Sequence, residues 1–209
     1  MQNILDGFKV LDMVTDPLPV KWYGPYSFVE SEDENVFTSL MGEKKGIYLF
    51  AIPFEGKYLV YYVGETGASF ASRLLQHVQS YLNGFYRVFG PEAFVEGRKV
   101  LLWGGMWKTD RKEPKLICDF IKQNPELAPK ILKFIEQFRI FLAPIDEDKR
   151  IIERIEAEIA KSLNQQGGFI GDFQDKDIRY RPTKPDEQRF RVVMTFPKLI
   201  MGLREELLV

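Results

Sequence analysis

The chain has 209 residues, with 29 Lys and Arg against 30 Asp and Glu for a net charge of −1, and is 45% hydrophobic and 28% charged. Such proportions fit a globular chain that buries a real core, as one domain with elaborations or one domain and a small appendage. They exclude a uniformly basic nucleic-acid coat but not a local basic face, and the lone cysteine, Cys118, excludes an intrachain disulfide and a cysteine-rich zinc site.

Cys118 lies in the apolar stretch "KLICDF" and reads as a small core residue. The N-terminus "MQNILDGFKV" lacks the basic region and long apolar run of a secretory signal. No apolar run approaches the roughly 20 residues that span a bilayer. The expectation is a soluble cytoplasmic protein with no membrane partner. Disorder is expected only near residues 30–34, where four of five are acidic.

From the N-terminus, "FKVLDMV" reads as a strand or a short helix, and "DPLPVKWYGPYSF", with three prolines and a glycine, as an irregular or extended arm. Residues 46–64 read as a β-hairpin: "GIYLFAI" and "KYLVYYVG" are rich in β-branched and aromatic residues, and "PFEG" separates them. Both strands are almost continuously apolar, which predicts a central place in a sheet covered on both faces. From Ser69 to Leu82 the period becomes helical, with Phe70, Leu74, Val78 and Tyr81 on one stripe and Asn83-Gly84 as the stop.

"GFYRVFGPEAFVEGR" is loop-like and "KVLLWGGMW" reads as a strand. "EPKLICDFIKQNPELAPKILKFIEQF" gives one or two helices broken near Asn124-Pro125. "FRIFLAPI" is a strand. "DEDKRIIERIEAEIAKSLN" is an amphipathic helix with Ile151, Ile155, Ile159 and Leu163 at spacing four, capped by Asp146 or Asp148, with acids in its first turn and "QQGG" at its end. The tail gives a strand, "RFRVVMTF", and a short C-terminal helix.

A three-residue hairpin loop, Phe54-Glu55-Gly56, would set Tyr48 directly opposite Tyr62. Arg73 and His77 (the only histidine) are one helical turn apart, and the wheel places both at the rim where helix meets sheet. Phenols, a guanidinium and an imidazole would then converge. An arginine fork suits a phosphate, and an imidazole suits proton transfer near neutral pH.

The pattern resembles the GIY-YIG nuclease superfamily. Gly46-Ile47-Tyr48 matches its first motif, Tyr62-Val63-Gly64 its second, and Arg73 and His77 its first helix. The family's metal-binding glutamate, followed by an asparagine near the end of a later helix, corresponds to Glu156 and Asn164 in "IEAEIAKSLN". Periodicity does not separate Glu156 from Glu158, which flank the isoleucine stripe. The family pattern, Glu with an aliphatic residue three positions on, favours Glu156. Thirteen residues separate Tyr48 from Tyr62, where the family more often has about ten, more than seventy separate His77 from Glu156, and Glu65 stands where members often carry a small or basic residue.

The resemblance implies an α+β fold, with a small central antiparallel sheet flanked by helices over residues 46–170, a helical insertion at about 85–136, and extensions at 1–45 and 171–209. It implies metal-dependent endonuclease activity on DNA, or a non-catalytic nucleic-acid-binding module on the same fold. Glu156 would hold Mg²⁺ or Mn²⁺, Arg73 would neutralise phosphate oxygens, Tyr48 or His77 would take a proton from water, Tyr62 would orient it, and Asn164 would brace the site. Candidate DNA contacts are Lys99, Lys108, Arg111, Lys112, Arg179 and Arg181, with Tyr180 available to stack. Symmetric cleavage of both strands would call for a homodimer.

Overall fold

The computed structural model describes residues 16–29, 33–106, 113–176 and 178–209. The segment "FKVLDMV", residues 30–32, and Lys108, Arg111 and Lys112 lie outside the described residues. In chain order the elements are β1 (Leu18–Lys21), β2 (Tyr23–Ser27), β3 (Glu34–Asn35), a 3₁₀ turn (Leu40–Glu43), β4 (Gly46–Phe54), β5 (Lys57–Thr66), α1 (Phe70–Leu82), β6 (Val88–Phe89), α2 (Pro91–Val95), β7 (Leu101–Trp103), α3 (Pro114–Glu136), β8 (Arg139–Pro144), α4 (Lys149–Gln165), α5 (Gly168–Phe173), β9 (Arg191–Thr195) and β10 (Glu206–Leu208).

The architecture is α+β. A five-stranded sheet in the order β3-β2-β8-β4-β5 forms the centre, with small sheets β1-β9-β10 and β6-β7 beside it. The sheets are mixed rather than antiparallel throughout, because β2 pairs in parallel with β3 and β1 in parallel with β9. The N-terminal arm is extended, as expected, but it is built into the sheets: β2 pairs with β8, and Arg139 of β8 holds Asp33 at 2.6 Å.

Alternation along β4 divides the interior. Tyr48, Phe50 and Ile52 face an aromatic-rich core under α1, α2 and α3, while Ile47, Leu49 and Ala51 face α4 and the β1-β9-β10 sheet. The whole strand from Gly46 to Ile52 is buried, which accounts for its unbroken apolar run. Gly46 lies at φ 143°, and a Cβ there would stand 2.2 Å from the Ala143 carbonyl oxygen, so only glycine lets β4 approach β8 here.

The hairpin register differs from expectation. The turn has two residues, Glu55 and Gly56, both at positive φ (47° and 73°), a primed turn that matches strand twist. Pairing starts at Phe54↔Lys57, and a bulge then displaces it, so that Ala51 pairs with Val60 but Phe50 with Tyr62 and Tyr48 with Gly64. Tyr61 is the extra residue, and both it and Tyr62 face the aromatic core.

α1 matches expectation, with Ser69 accepting from the Ser72 N–H as cap and Asn83-Gly84 ending it. α3 is one continuous helix despite Pro125 and Pro129. Both prolines lie on its exposed side, where hydrated carbonyls tolerate a lost N–H, while Leu127, Ile131, Phe134 and Ile135 continue the buried stripe. Cys118 is exposed rather than core, because the first half of this helix buries only Phe120. Asp148 is the N-cap residue of α4 without a side-chain cap bond, and the acids precede the first turn rather than filling it. The expected C-terminal helix is strand β10, antiparallel to β9, and the loop-like stretch after Gly84 contains β6 and α2.

The tail is fastened along α4. Buried Arg154 donates to the carbonyls of Gln188 (2.7 Å) and Val209 (3.2 Å) and to the Thr183 hydroxyl (3.2 Å), and stacks on Phe190 at 4.8 Å. Arg150 grips Glu187 with two bonds of 2.6 and 2.7 Å.

Candidate functional site

The site forms at the outer edge of β5, the last strand of the central sheet. α1 arrives from one face and α4 from the other. Gly64 opens a gap between them: a Cβ there would stand 2.5 Å from Cζ and Oη of Tyr48. The Tyr48 ring therefore occupies the space over residue 64, and its hydroxyl reaches α1. Tyr62, one cross-strand step along, still lies 5.9 Å from Tyr48 between ring centroids.

Two α1 side chains meet the Tyr48 hydroxyl. His77 Nε2 is 2.7 Å from it, and Arg73 Nε donates to it at 3.3 Å. Arg73 also donates to Gln76 Oε1 at 3.1 Å. Since the guanidinium only donates, the phenol oxygen accepts from Arg73, leaving its own proton for His77 Nε2. The Tyr62 hydroxyl lies near enough to that of Tyr48 for each to act on the other. His77 is buried, not at the rim as the helical wheel places it. Burial, and then the Arg73 charge, push its pKa down to about 3, so its imidazole is neutral at ordinary pH. Burial raises both phenols, and Arg73 draws Tyr48 partly back. Tyr48 is fully enclosed, so Arg73 and Tyr62, both half-buried, carry the open side of the cluster.

α4 supplies the carboxylate. Glu156 lies against the Glu65 backbone, and Arg73, Tyr48 and Tyr62 all feel its charge. Burial, and then the neighbouring Glu65, push its pKa up to about 8. Oε2 of Glu65 is buried without a hydrogen-bond partner. Glu158 points elsewhere, pairing with Lys161 at 3.0 Å, so the structure separates the two glutamates that periodicity leaves equivalent.

Asn164 is not brought to this cluster. It is exposed, about 12 Å further along the helix at 1.5 Å per residue, and its carbonyl accepts from the Gly167 N–H at 3.2 Å. Among the basic candidates, Lys99 donates to the Gln174 carbonyl at 3.0 Å and Arg181 pairs with buried Glu153 at 2.9 Å, so both hold the tail in place. Arg179 is exposed at the rim of the large cavity beside the site.

Two tail residues contribute more than sequence reasoning assigned them. The Asp175 N–H donates to the Tyr61 carbonyl at 2.8 Å, and the Tyr180 hydroxyl donates to the Val63 carbonyl at 3.4 Å. Together with Glu156 at the Glu65 backbone, they cover the exposed edge of β5. Tyr180 stands close enough to Glu156 and Tyr62 to feel both, so it is a wall of the site rather than a surface ring.

No protein-family model matches the chain, and no curated protein or solved structure compared with it is similar to it. Among the described residues no helix is long and apolar enough to cross a membrane.

Proposed function

We propose that the chain is a metal-dependent endonuclease of the GIY-YIG type, hydrolysing phosphodiester bonds in DNA. One observation carries this reading. The Tyr48 hydroxyl is held between His77 Nε2 and Arg73 Nε, with the Glu156 carboxylate near enough for its charge to act on Tyr48, Tyr62 and Arg73. Four segments far apart in sequence supply one compact set of proton-transfer, phosphate-binding and carboxylate groups.

The donor set fits a hard divalent cation. Two carboxylates, Glu156 and Glu65, lie together with one buried oxygen unpartnered, and burial, with the neighbouring Glu65 adding to it, holds a proton on Glu156 when no cation offsets the charge. Among the described residues no three His, Cys, Asp or Glu side chains gather, so water and substrate oxygens would have to supply the remaining ligands of Mg²⁺ or Mn²⁺. Glu156 would hold the ion, which when bound stabilises charge on the leaving and non-bridging oxygens.

The chain's own groups supply the rest. Arg73 meets the phosphate from the open side and neutralises its oxygens as charge develops. Tyr62, Tyr48 and His77 form a proton path, whose inner link is the 2.7 Å contact between the Tyr48 hydroxyl and His77 Nε2. As water attacks phosphorus, its proton passes to Tyr62 while Tyr62 gives its own to Tyr48 and Tyr48 gives its own to His77. Burial first, and the Arg73 charge second, keep His77 a weak base, and a phosphate on Arg73 offsets the second of these, so substrate binding raises the basicity of the path.

Plasmid nicking with Mg²⁺ or Mn²⁺ tests the reading. Wild type should cut, Glu156→Gln and Arg73→Ala should not, and Glu158→Gln should cut normally. Salt-sensitive DNA binding without cutting by the wild type would assign the chain to the non-catalytic binding class instead.

A further inference from the structure

A cavity of about 730 Å³ opens directly from the Arg73 side of the cluster. Its size is that of a site for one small organic molecule. Two properties define its lining. Aromatic rings dominate the walls, with Tyr86 5.5 Å from His77 and 5.0 Å from Tyr81 between centroids. Its charged groups are Arg73, Arg87 and Arg179 together with one acid, Asp175. Tyr62, Arg73 and His77 belong to both the cavity and the cluster.

We propose that this cavity receives one unstacked nucleobase of the DNA strand being cut, next to the scissile phosphate. The inference rests on the endonuclease reading and specifies its substrate. A nucleotide whose phosphate sits on Arg73 carries its base within one sugar's reach of the cavity. Flat aromatic walls offer stacking to any base. The guanidiniums of Arg87 and Arg179 suit the flanking phosphates. Asp175 is fixed through its backbone to Tyr61, and its carboxylate accepts from an exocyclic amino group, which cytosine, adenine and guanine have and thymine lacks. A base inside an intact duplex cannot reach such a recess without leaving the stack, and leaving is easiest where it is already unpaired. The favoured substrate is therefore DNA with an unpaired nucleotide beside the cut.

The test measures binding of the full chain, as its non-cutting Glu156→Gln form, to matched oligonucleotides that are fully paired or carry one unpaired nucleotide. The unpaired form should bind at least ten-fold tighter, with unpaired cytosine preferred to thymine. Added to that background, Tyr86→Leu, which keeps the site filled, should reduce this preference several-fold while leaving paired-duplex binding unchanged, whereas Arg179→Ala at the exposed rim should weaken binding of the paired and unpaired forms alike. Asp175→Asn should remove the preference for cytosine. Free deoxynucleoside monophosphates should compete only weakly, and strong competition by them with no preference among strands would assign the cavity to a free nucleotide and overturn the inference. Equal affinity for paired and unpaired strands, in a wild type that cuts, would also overturn it while leaving the endonuclease reading intact. Failure to bind or cut DNA of any form would remove both.

Discussion

Tyr48 lies opposite Gly64, and its ring fills the volume that any side chain at 64 would need. The glycine is thus the partner of the phenol across the strand pair, and it sets how far the Tyr48 hydroxyl reaches toward α1. Replacing it by alanine would put a methyl 2.5 Å from the phenol's Cζ and Oη. We expect Gly64→Ala to cost about 1–3 kcal/mol of stability through overpacking and to lower activity by about 100-fold or more by pushing the hydroxyl off His77. Thermal denaturation and plasmid nicking on the same preparation measure both.

Tyr48→Phe keeps the ring but removes the atom that joins His77 to Arg73. The fold should survive with a loss of about 1–2 kcal/mol, since buried His77 Nε2 is left without this partner. Cleavage should fall by about 100-fold or more through loss of the proton path, with DNA binding unchanged in a gel-shift titration.

Stability should depend on pH through His77. Its folded pKa of about 3 lies below its ordinary 6.5, so the unfolded chain binds the extra proton. The contribution is complete above pH 6.5 and is lost as pH falls toward 3, with a slope of up to about 1.4 kcal/mol per pH unit. Glu156, raised from 4.5 to about 8, has the opposite sign: without a cation its contribution is complete below 4.5 and is lost as pH rises through 8. Urea denaturation in metal-free buffer across this range should show His77→Phe flattening the acidic limb and Glu156→Gln the alkaline one.

The tail should come loose when Arg154 is lost. Its guanidinium, 7% exposed, ties two carbonyls and a hydroxyl to α4. Arg154→Ala is expected to cost about 2–4 kcal/mol and to expose residues 178–190 to limited proteolysis. Activity should drop with it, because Tyr180 and Asp175 would leave the β5 edge.

Much of the fold and part of the site are legible in the sequence. Motifs that depend on local periodicity are readable: the hairpin strands, α1 with its Asn83-Gly84 stop, and α4. Glu156 could be chosen over Glu158 by resemblance alone, since the choice depends on which flank of α4 turns toward β5. The register places Gly64, not Tyr62, opposite Tyr48, because a two-residue turn and a bulge each shift it by one, and neither leaves a compositional trace. His77 lies deeper than its helical wheel indicates because Tyr86, which helps enclose it, comes from a stretch with no periodic signal. α3 runs through two prolines because only its wet side loses donors. The edge contacts of Asp175 and Tyr180 are long-range and polar, and nothing in the tail's own pattern announces them.

The extra residue in β5 has a consequence for how this hairpin can change length. Adding or deleting one residue at the turn alone would swap the faces of one strand and send Tyr48 or Tyr62 to the α4 side. Removing Tyr61 would instead leave an unbroken ladder, because Phe50↔Tyr62 and Ala51↔Val60 are already in step on either side of it. Odd changes in spacing between the two phenols are therefore compatible with their facing the same way, provided a compensating irregularity accompanies them. What the architecture preserves is parity, not distance along the chain.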